Sequence, residues 1–540
     1  MTVSSAERLK TMRYTLPGLA GLGVVAVLGL SACNTDDLVR VNQDPNNPTS
    51  APPQPVFTFS TRSAMQRFYG RTPMNMTGPV LTGQHLAESQ YTDEDVYLRL
   101  DAAVTDASFV GAYTAELSNF QAVIDAGQGA GEPLLWGPAQ VMRSLIFGWI
   151  TDVWGDVPYS EALKLRADPP IVLPAYDPQA DIYAGLFNDL AEAVTAMAAG
   201  GAQTLGDADP IYGGNGLQWQ RLGNSLRARH AMRLVNVDAG TAQAELTAAI
   251  NAPGGLLQSN ADNAQIDWPG DGVYDNPWST NNKSRDDHRL SKSLMDQMLP
   301  FSDPRVAVYA QPTQCFTQPN APGCPASPAQ YAGLQNGLSS DESALLGRVS
   351  SRPGMVFYST PDFCVGCPSL PGASFPSFIL TYAEVSFTLA EAAERGWPVG
   401  GSAAAFYEQG IRASMAQWGV TDQAAIDAFL ANPAIAYQGG TAGLRQIALQ
   451  KWIALFTDGI EAWSEWRRTC VPETVKPGPA AIINTVPRRY QYSIREGSVN
   501  ADNVQAAVQR QGPDDFTTRI YWDTQPAAAP TYPGATCGVR

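Results

Sequence analysis

The chain has 540 residues, 44% of them hydrophobic and 16% charged, with 51 Asp and Glu against 35 Lys and Arg and a net charge of −16. That length and apolar content support a large core and exclude a disordered chain. The acidic balance excludes nucleic acid as a partner, because neutralising phosphates needs clustered Lys and Arg. A neutral ligand suits it better than a polyanion.

The first 33 residues have the layout of an export leader. Arg8, Lys10 and Arg13 precede an apolar run from Leu16 to Leu30, and Leu30-Ser31-Ala32-Cys33 closes it with small residues. The run is shorter than the ~20 residues of a membrane span. Leu-Ser-Ala-Cys resembles the lipobox of bacterial lipoproteins. That resemblance implies removal of residues 1–32 and a lipid on the sulfur of Cys33. More than one acyl chain anchors stably, so no spanning helix is then needed. Asn34-Thr35-Asp36-Asp37 resembles the acidic surface-export tag of some Gram-negative lipoproteins; its plainer reading is a solvated tether. Residues 33–55, rich in Pro and Asn, form that tether.

From about residue 56 the pattern turns helical, and residues 56–540 are expected to form one mainly α domain. Apolar residues recur at three- and four-residue steps over 56–69, 76–90, 104–126 and 132–150. Asp177-Pro178 reads as an N-cap and first turn, followed by Ile182, Leu186 and Leu190 on one face. Residues 216–236 give another helix, with Leu222, Leu226 and Leu234 inward. Between 252 and 375 Gly, Pro, Asn, Asp and Ser are frequent and periodicity is lost, apart from 291–299. This predicts a loop-rich insertion with short strands, of a length that usually carries function. Helices return at 376–395, with Phe378, Tyr382, Val385, Leu389 and Ala392 in one stripe, then at 402–418 and 441–468.

Seven cysteines leave six once Cys33 is lipidated, and an even count in an exported chain favours disulfides. Of fifteen possible pairings, Cys315–Cys324, Cys364–Cys367 and Cys470–Cys537 are expected. Cys364-Val365-Gly366-Cys367 lies in a Pro- and Gly-rich stretch, not at the strand-to-helix junction of a thioredoxin-like site, and the other pair lacks zinc-ligand spacing. His85, His230 and His288 are far apart and have no metal-ligand spacing, and no nucleophile elbow or phosphate loop is present. No metal, cofactor or catalytic residue is therefore assigned. Asp286-Asp287 and Glu461/Glu465 are explained as caps and arginine partners before they are read as a glycosidase pair.

The aromatic residues say more. Trp219, Trp452 and Trp463 fall in helical stripes and are expected in the core. Trp268, Tyr274, Trp278 and Tyr331 fall in the loop-rich insertion. Aromatic faces beside Asn, Asp or Arg suit a neutral oligomeric ligand, and packing onto the helical body is the alternative.

Several stretches form one ordered set: Thr151-Asp152-Val153-Trp154-Gly155-Asp156-Val157-Pro158-Tyr159, Asn224-Ser225-Leu226-Arg227-Ala228-Arg229 and Tyr382-Ala383-Glu384-Val385-Ser386-Phe387. Tyr407-Glu408-Gln409-Gly410-Ile411 follows, then Gln450-Lys451-Trp452 with Glu461-Ala462-Trp463 and Trp466-Arg467-Arg468, and last Pro487-Arg488-Arg489. Together they resemble the SusD/RagB family of outer-membrane nutrient-binding lipoproteins, in its SusD-like branch. The resemblance implies tetratricopeptide-like helix pairs with a looped ligand region, and no catalysis. It also implies a partner, a SusC-type TonB-dependent β-barrel transporter on which the lipoprotein lies as a lid, taking oligosaccharide or peptide from the cell exterior. Ser89-Gln90-Tyr91-Thr92-Asp93-Glu94 is similar to a segment near the glycan site of relatives. The candidate ligand residues are therefore Tyr91, Asp93, Tyr97, Trp268, Tyr274, Trp278, Arg285 and His288. Two other classes compete with nutrient capture: a surface glycoside hydrolase, which needs two carboxylates facing across a cleft, and a structural lipoprotein, which needs no cleft.

Overall fold

Where the helical step is sustained in the sequence, the chain builds helices that pack in consecutive pairs. The computed structural model describes residues 51–165, 167–364, 366–524 and 537–539. The leader, the lipobox with Cys33 and the acidic tether before residue 51 lie outside the described residues. Helix α1 (Pro53–Tyr69) buries Phe57, Ala64, Met65 and Phe68. Asp101 caps α2 (Ala102–Gly111), its side chain accepting from the Val104 amide at 3.0 Å. A π-helical turn, Ala112–Leu117, carries α2 into α3 (Ser118–Ala130). Then follow α4 (Pro133–Trp154), α5 (Gln179–Ala198), α6 (Gly216–Arg233) and α7 (Ala239–Asn251), each packed on the one before it. A second set comprises α8 (Tyr382–Glu394), α9 (Ala403–Gln417), α10 (Gln423–Leu430), α11 (Gly440–Ala454) and α12 (Gly459–Thr469). Within it, α8 packs on α9 and α11.

Four local expectations are corrected. Residues 76–90 hold one helical turn, Pro79–Thr82, and then the strand β1 (Leu86–Glu88), because Gly78 and Gly83 punctuate the segment. Asp177 does not cap α5. Its carboxylate instead accepts from the Tyr159 and Ser160 amides at 2.9 and 2.8 Å, and Pro178 takes the cap position. The start of 376–395 is the strand β6 (Ser377–Leu380), so Phe378 sits in a sheet and the helix begins at Tyr382. The stretch 441–468 is two helices. Thr457 is left-handed (φ 82) and Asp458 starts α12 by accepting from the Glu461 amide.

The insertion folds as short pieces against the helices. Its strands complete two antiparallel pairs, β1 with β5 (His288–Leu290) and β4 (Ala264–Ile266) with β6, and a third pair outside it joins β2 (Val157–Pro158) to β3 (Tyr176–Asp177). Cys315–Cys324, Cys364–Cys367 and Cys470–Cys537 are disulfide-bonded, with Cα separations of 5.4, 5.7 and 5.4 Å. Trp149, Trp219, Trp452 and Trp463 are among the most buried side chains, together with Arg305, Arg467, Arg488 and Arg489. Those arginines are partnered: Arg467 lies 3.7 Å from the Trp463 ring centroid, and Arg488 pairs with Asp523. No helix among the described residues is long and apolar enough to cross a membrane.

Candidate functional site

The β1–β5 pairing joins two segments that are about 200 positions apart in the chain. It sets Leu86 opposite Leu290, Ala87 opposite Arg289 and Glu88 opposite His288. The loop after β1, which carries Tyr91, Asp93 and Tyr97, is thereby laid beside the turn before β5, which carries Arg285. Ser89 fastens the junction, its amide and hydroxyl both donating to the Asp287 carbonyl at 2.6 and 3.0 Å. At the far side of the loop, the Ile482 amide donates to Val96 at 3.0 Å and Thr92 meets Ser340 hydroxyl to hydroxyl at 3.0 Å.

Tyr91 stands at the tip of this loop with its ring 63% exposed. Its backbone is left-handed (φ 56), a conformation that costs a bulky residue energy and that clusters at functional sites. The Arg285 guanidinium lies 5.0 Å from the Tyr91 ring centroid. Arg285 is itself held by Asp287, which also faces Arg71 at 3.6 Å. Asp93 is exposed beside Tyr91. Tyr274 is a second outward ring, 37% exposed, with the Arg62 guanidinium 4.5 Å from its centroid. Asp271 sets the Tyr274 turn by accepting its amide at 2.8 Å. Arg62 lies on α1 and Arg71 just beyond its end, nine positions along the chain. Tyr274 is thus tied to α1, whereas Tyr91 is linked to Arg71, past the helix end, only through Arg285 and Asp287.

The other four candidates are interior. Trp268 is buried and donates to the Ser377 hydroxyl at 3.0 Å. Trp278 packs against Phe357 and Phe456 at centroid distances of 4.8 and 5.8 Å. Tyr97 and His288 are buried beneath the Tyr91 loop. None of these four offers a ring face to solvent: Trp268, Trp278 and His288 of the insertion and Tyr97 of the loop after β1 are all buried. Periodicity could not separate them from Tyr91 and Tyr274, since none lies in a regular element long enough to show a face. Sequence reasoning did not single out Arg62 and Arg71, whose contacts with Tyr274 and Asp287 join segments distant in the chain.

The acid pairs weighed as glycosidase candidates are held by arginine and lysine. Asp286 binds Arg352 at 2.6 and 2.7 Å and Arg289 at 2.9 Å, which holds its carboxyl below the usual range. Glu461 meets Arg233 at 2.5 Å and Arg229 at 3.5 Å, and those two cations bring it down to about 2 despite burial. Glu465 pairs with Arg468 and Lys451 at 2.6 and 3.2 Å. Among the described residues no group of three or more His, Cys, Asp or Glu is arranged to hold a metal ion. Three surface cavities of about 550, 600 and 610 Å³ are lined by other residues, and Tyr91 and Tyr274 lie outside them.

The family model described as "Starch-binding associating with outer membrane", a SusD-like family, matches residues 45–493. A solved chitin-binding protein aligns with 28% identity and a TM-score of 0.72, over 88% of this chain and 100% of its own. A chitin-binding SusD homolog from Flavobacterium johnsoniae aligns with 26% identity and a TM-score of 0.71, over 87% and 98%. A SusD homolog from Bacteroides fragilis NCTC 9343 shares the fold at 24% identity and a TM-score of 0.72, over 88% and 100%. No curated protein matches the sequence significantly. The helix pairs, the looped insertion and a family match across most of the chain lead to one assignment: this protein belongs to the SusD-like family.

Proposed function

We propose that this chain is a surface lipoprotein that captures an oligosaccharide and delivers it to a SusC-type TonB-dependent transporter in the outer membrane. The observation that carries the reading is the exposed, left-handed Tyr91 with Arg285 packed on its ring. A sugar ring presents C–H groups to an aromatic face and hydroxyls to flanking polar groups, and Tyr91, Asp93, Tyr274 and Arg285 supply both. Tyr97 and His288 support these contacts from below. The chitin-binding names of two relatives make oligomers of N-acetylglucosamine the first ligand class to test. Cys33 carries the lipid, and the acidic tether directs the protein to the outer face.

The role is capture rather than catalysis. Near Tyr91, Asp286 and Asp287 are paired with arginine and Glu88 and Asp95 are sealed at 0% and 1% exposure, which leaves Asp93 as the exposed carboxylate beside the ring. A sealed carboxyl cannot reach a glycosidic oxygen on a bound chain. The test is affinity purification of the tagged protein from gently solubilised outer membranes. A co-purifying TonB-dependent barrel, with retention of the protein on insoluble chitin or another glycan, is the expected result. Recovery alone, from membranes whose other complexes stay intact, contradicts the delivery role.

A further inference from the structure

Beneath the Tyr91 loop lies a set of acids that the capture surface itself does not use. Glu88, at the end of β1, is fully buried. One of its carboxyl oxygens accepts a single long bond from the Asp95 amide at 3.3 Å, and the other has no hydrogen-bond partner. The Asp95 carboxylate returns the contact to the Glu88 amide at 3.4 Å. It also binds the Asn336 side chain at 2.7 Å and the Gly337 amide at 2.9 Å. The two side chains thus clasp the two ends of the loop whose tip is Tyr91, and Tyr97, just past the clasp, is left-handed as well (φ 67).

The groups around Glu88 decide its charge. Asp95 and Glu94 lie on the loop itself and add negative charge; Arg71, beyond α1, is engaged by Asp287. His288 faces Glu88 across the strand pair at 4.0 Å. Its ring is buried without a well-formed hydrogen bond, and Arg71, Arg285 and Arg289 all oppose a positive charge on it. His288 therefore cannot serve as counter-ion. A buried carboxylate with one weak donor and two acidic neighbours is far costlier than the neutral acid.

We propose that Glu88 is a positioning residue for the Tyr91 surface: it closes the loop as a neutral acid and releases its proton to water whenever the Glu88–Tyr97 segment opens. The inference rests on the reading of Tyr91 as a ligand contact, and it couples presentation of that ring to pH. The sign follows from linkage. Burial and the acidic neighbours push Glu88 well up, whereas in the open loop it has ordinary carboxylate acidity. Closing therefore takes up a proton, and rising pH favours opening, by at most about tenfold per pH unit. Asp95, pushed up to about 6, and His288, lowered to about 3, exchange their protons on opening only below neutral pH, so alkaline conditions isolate Glu88.

The test is amide hydrogen exchange on the full-length protein in lipid nanodiscs, followed on peptides spanning residues 86–97. After division by the intrinsic rate, the opening constant should rise with pH from about pH 7 to about pH 8.5, by up to about tenfold per pH unit. In Glu88→Gln, which keeps the acceptor for the Asp95 amide, it should be flat. A flat wild-type profile, or an unchanged slope in Glu88→Gln, overturns the proposal, and the wild-type profile decides alone if the variant does not fold. The positioning role has its own readout. Glu88→Gln should hold chitohexaose affinity within about twofold, and Glu88→Ala should lower it about tenfold by depopulating the closed loop. Equal affinity in Glu88→Ala and wild type overturns positioning. The exchange slope needs no ligand, so a protein that binds no oligosaccharide would sink the proposed function and leave the coupling standing.

Discussion

Arg229 of α6 donates through Nε and Nη2 to both carboxylate oxygens of Glu384 in α8, at 2.7 and 2.6 Å, with both side chains buried. Arg229 also faces Glu461 of α12, which binds Arg233, which in turn faces Asp152 of α4 at 3.3 Å. One charged thread therefore joins four helices from both helical sets. All of its members but Arg233 fall in the stretches that carry the family resemblance, which makes those stretches scaffold rather than ligand site.

Removing Glu384 leaves Arg229 buried with only the longer ion pair to Glu461, which costs up to about 3–5 kcal/mol. Glu384→Ala should lower the stability of the folded chain by that amount in urea denaturation. Replacing both, as Arg229→Met with Glu384→Leu, should recover most of the loss, because the desolvation of two charges is removed together. A double variant as unstable as the single one would show that the pair does more than neutralise itself.

Asp458 supplies a pH signature at the break between α11 and α12. It accepts from Tyr69 at 3.2 Å, and burial pushes it up to about 8 against the pull of Arg229. A folded value above the unfolded one means that its contribution is present in acid and is lost as pH rises through about 8. Asp458→Asn keeps a good helix cap and cannot titrate. Between pH 6 and pH 8 the stability gap should move in favour of the variant by up to about 1.4 kcal/mol per pH unit. The check is the urea midpoint of both proteins across that range; parallel profiles contradict the assignment.

Cys470 ends α12 in a left-handed conformation and ties the C-terminal Cys537 back to it across 67 positions. Cys537→Ser should lower stability by about 2–5 kcal/mol, since a bridge of that span restricts the unfolded chain. The thermal midpoint should fall, and wild type treated with reductant, which opens all three bridges, should fall at least as far. An unchanged midpoint in both would remove the bridge from the account.

The helical half of the fold was legible because its signals are local. In α6, Leu222 and Leu226 repeat every turn and Asn215 caps the start, so the element can be read from 18 residues. The break before α12 was missed because Ala448, Trp452 and Trp463 keep a helical phase across it, while the left-handed Thr457 leaves no mark on periodicity. Phe378 misled for the same reason, since its spacing to Tyr382 fits a helix although β4 draws it into a sheet. Of the site, Tyr91 was legible only through family resemblance. The Glu88–His288 opposition, the Arg285 contact and the burial of Trp278 under Phe357 all depend on contacts between distant segments, and no local pattern records them.

The central claim is that Tyr91 and Tyr274 present their rings to a neutral oligosaccharide. The most direct test is isothermal titration of the protein with chitohexaose, comparing wild type with Tyr91→Ala and Tyr274→Ala. The account predicts saturable binding by wild type, a loss of about tenfold or more in each variant and unchanged thermal midpoints, because both rings are solvent-facing. Saturable binding that survives both substitutions would place the ligand elsewhere on the protein. No saturable binding of chitohexaose or of any other oligosaccharide would contradict glycan capture itself.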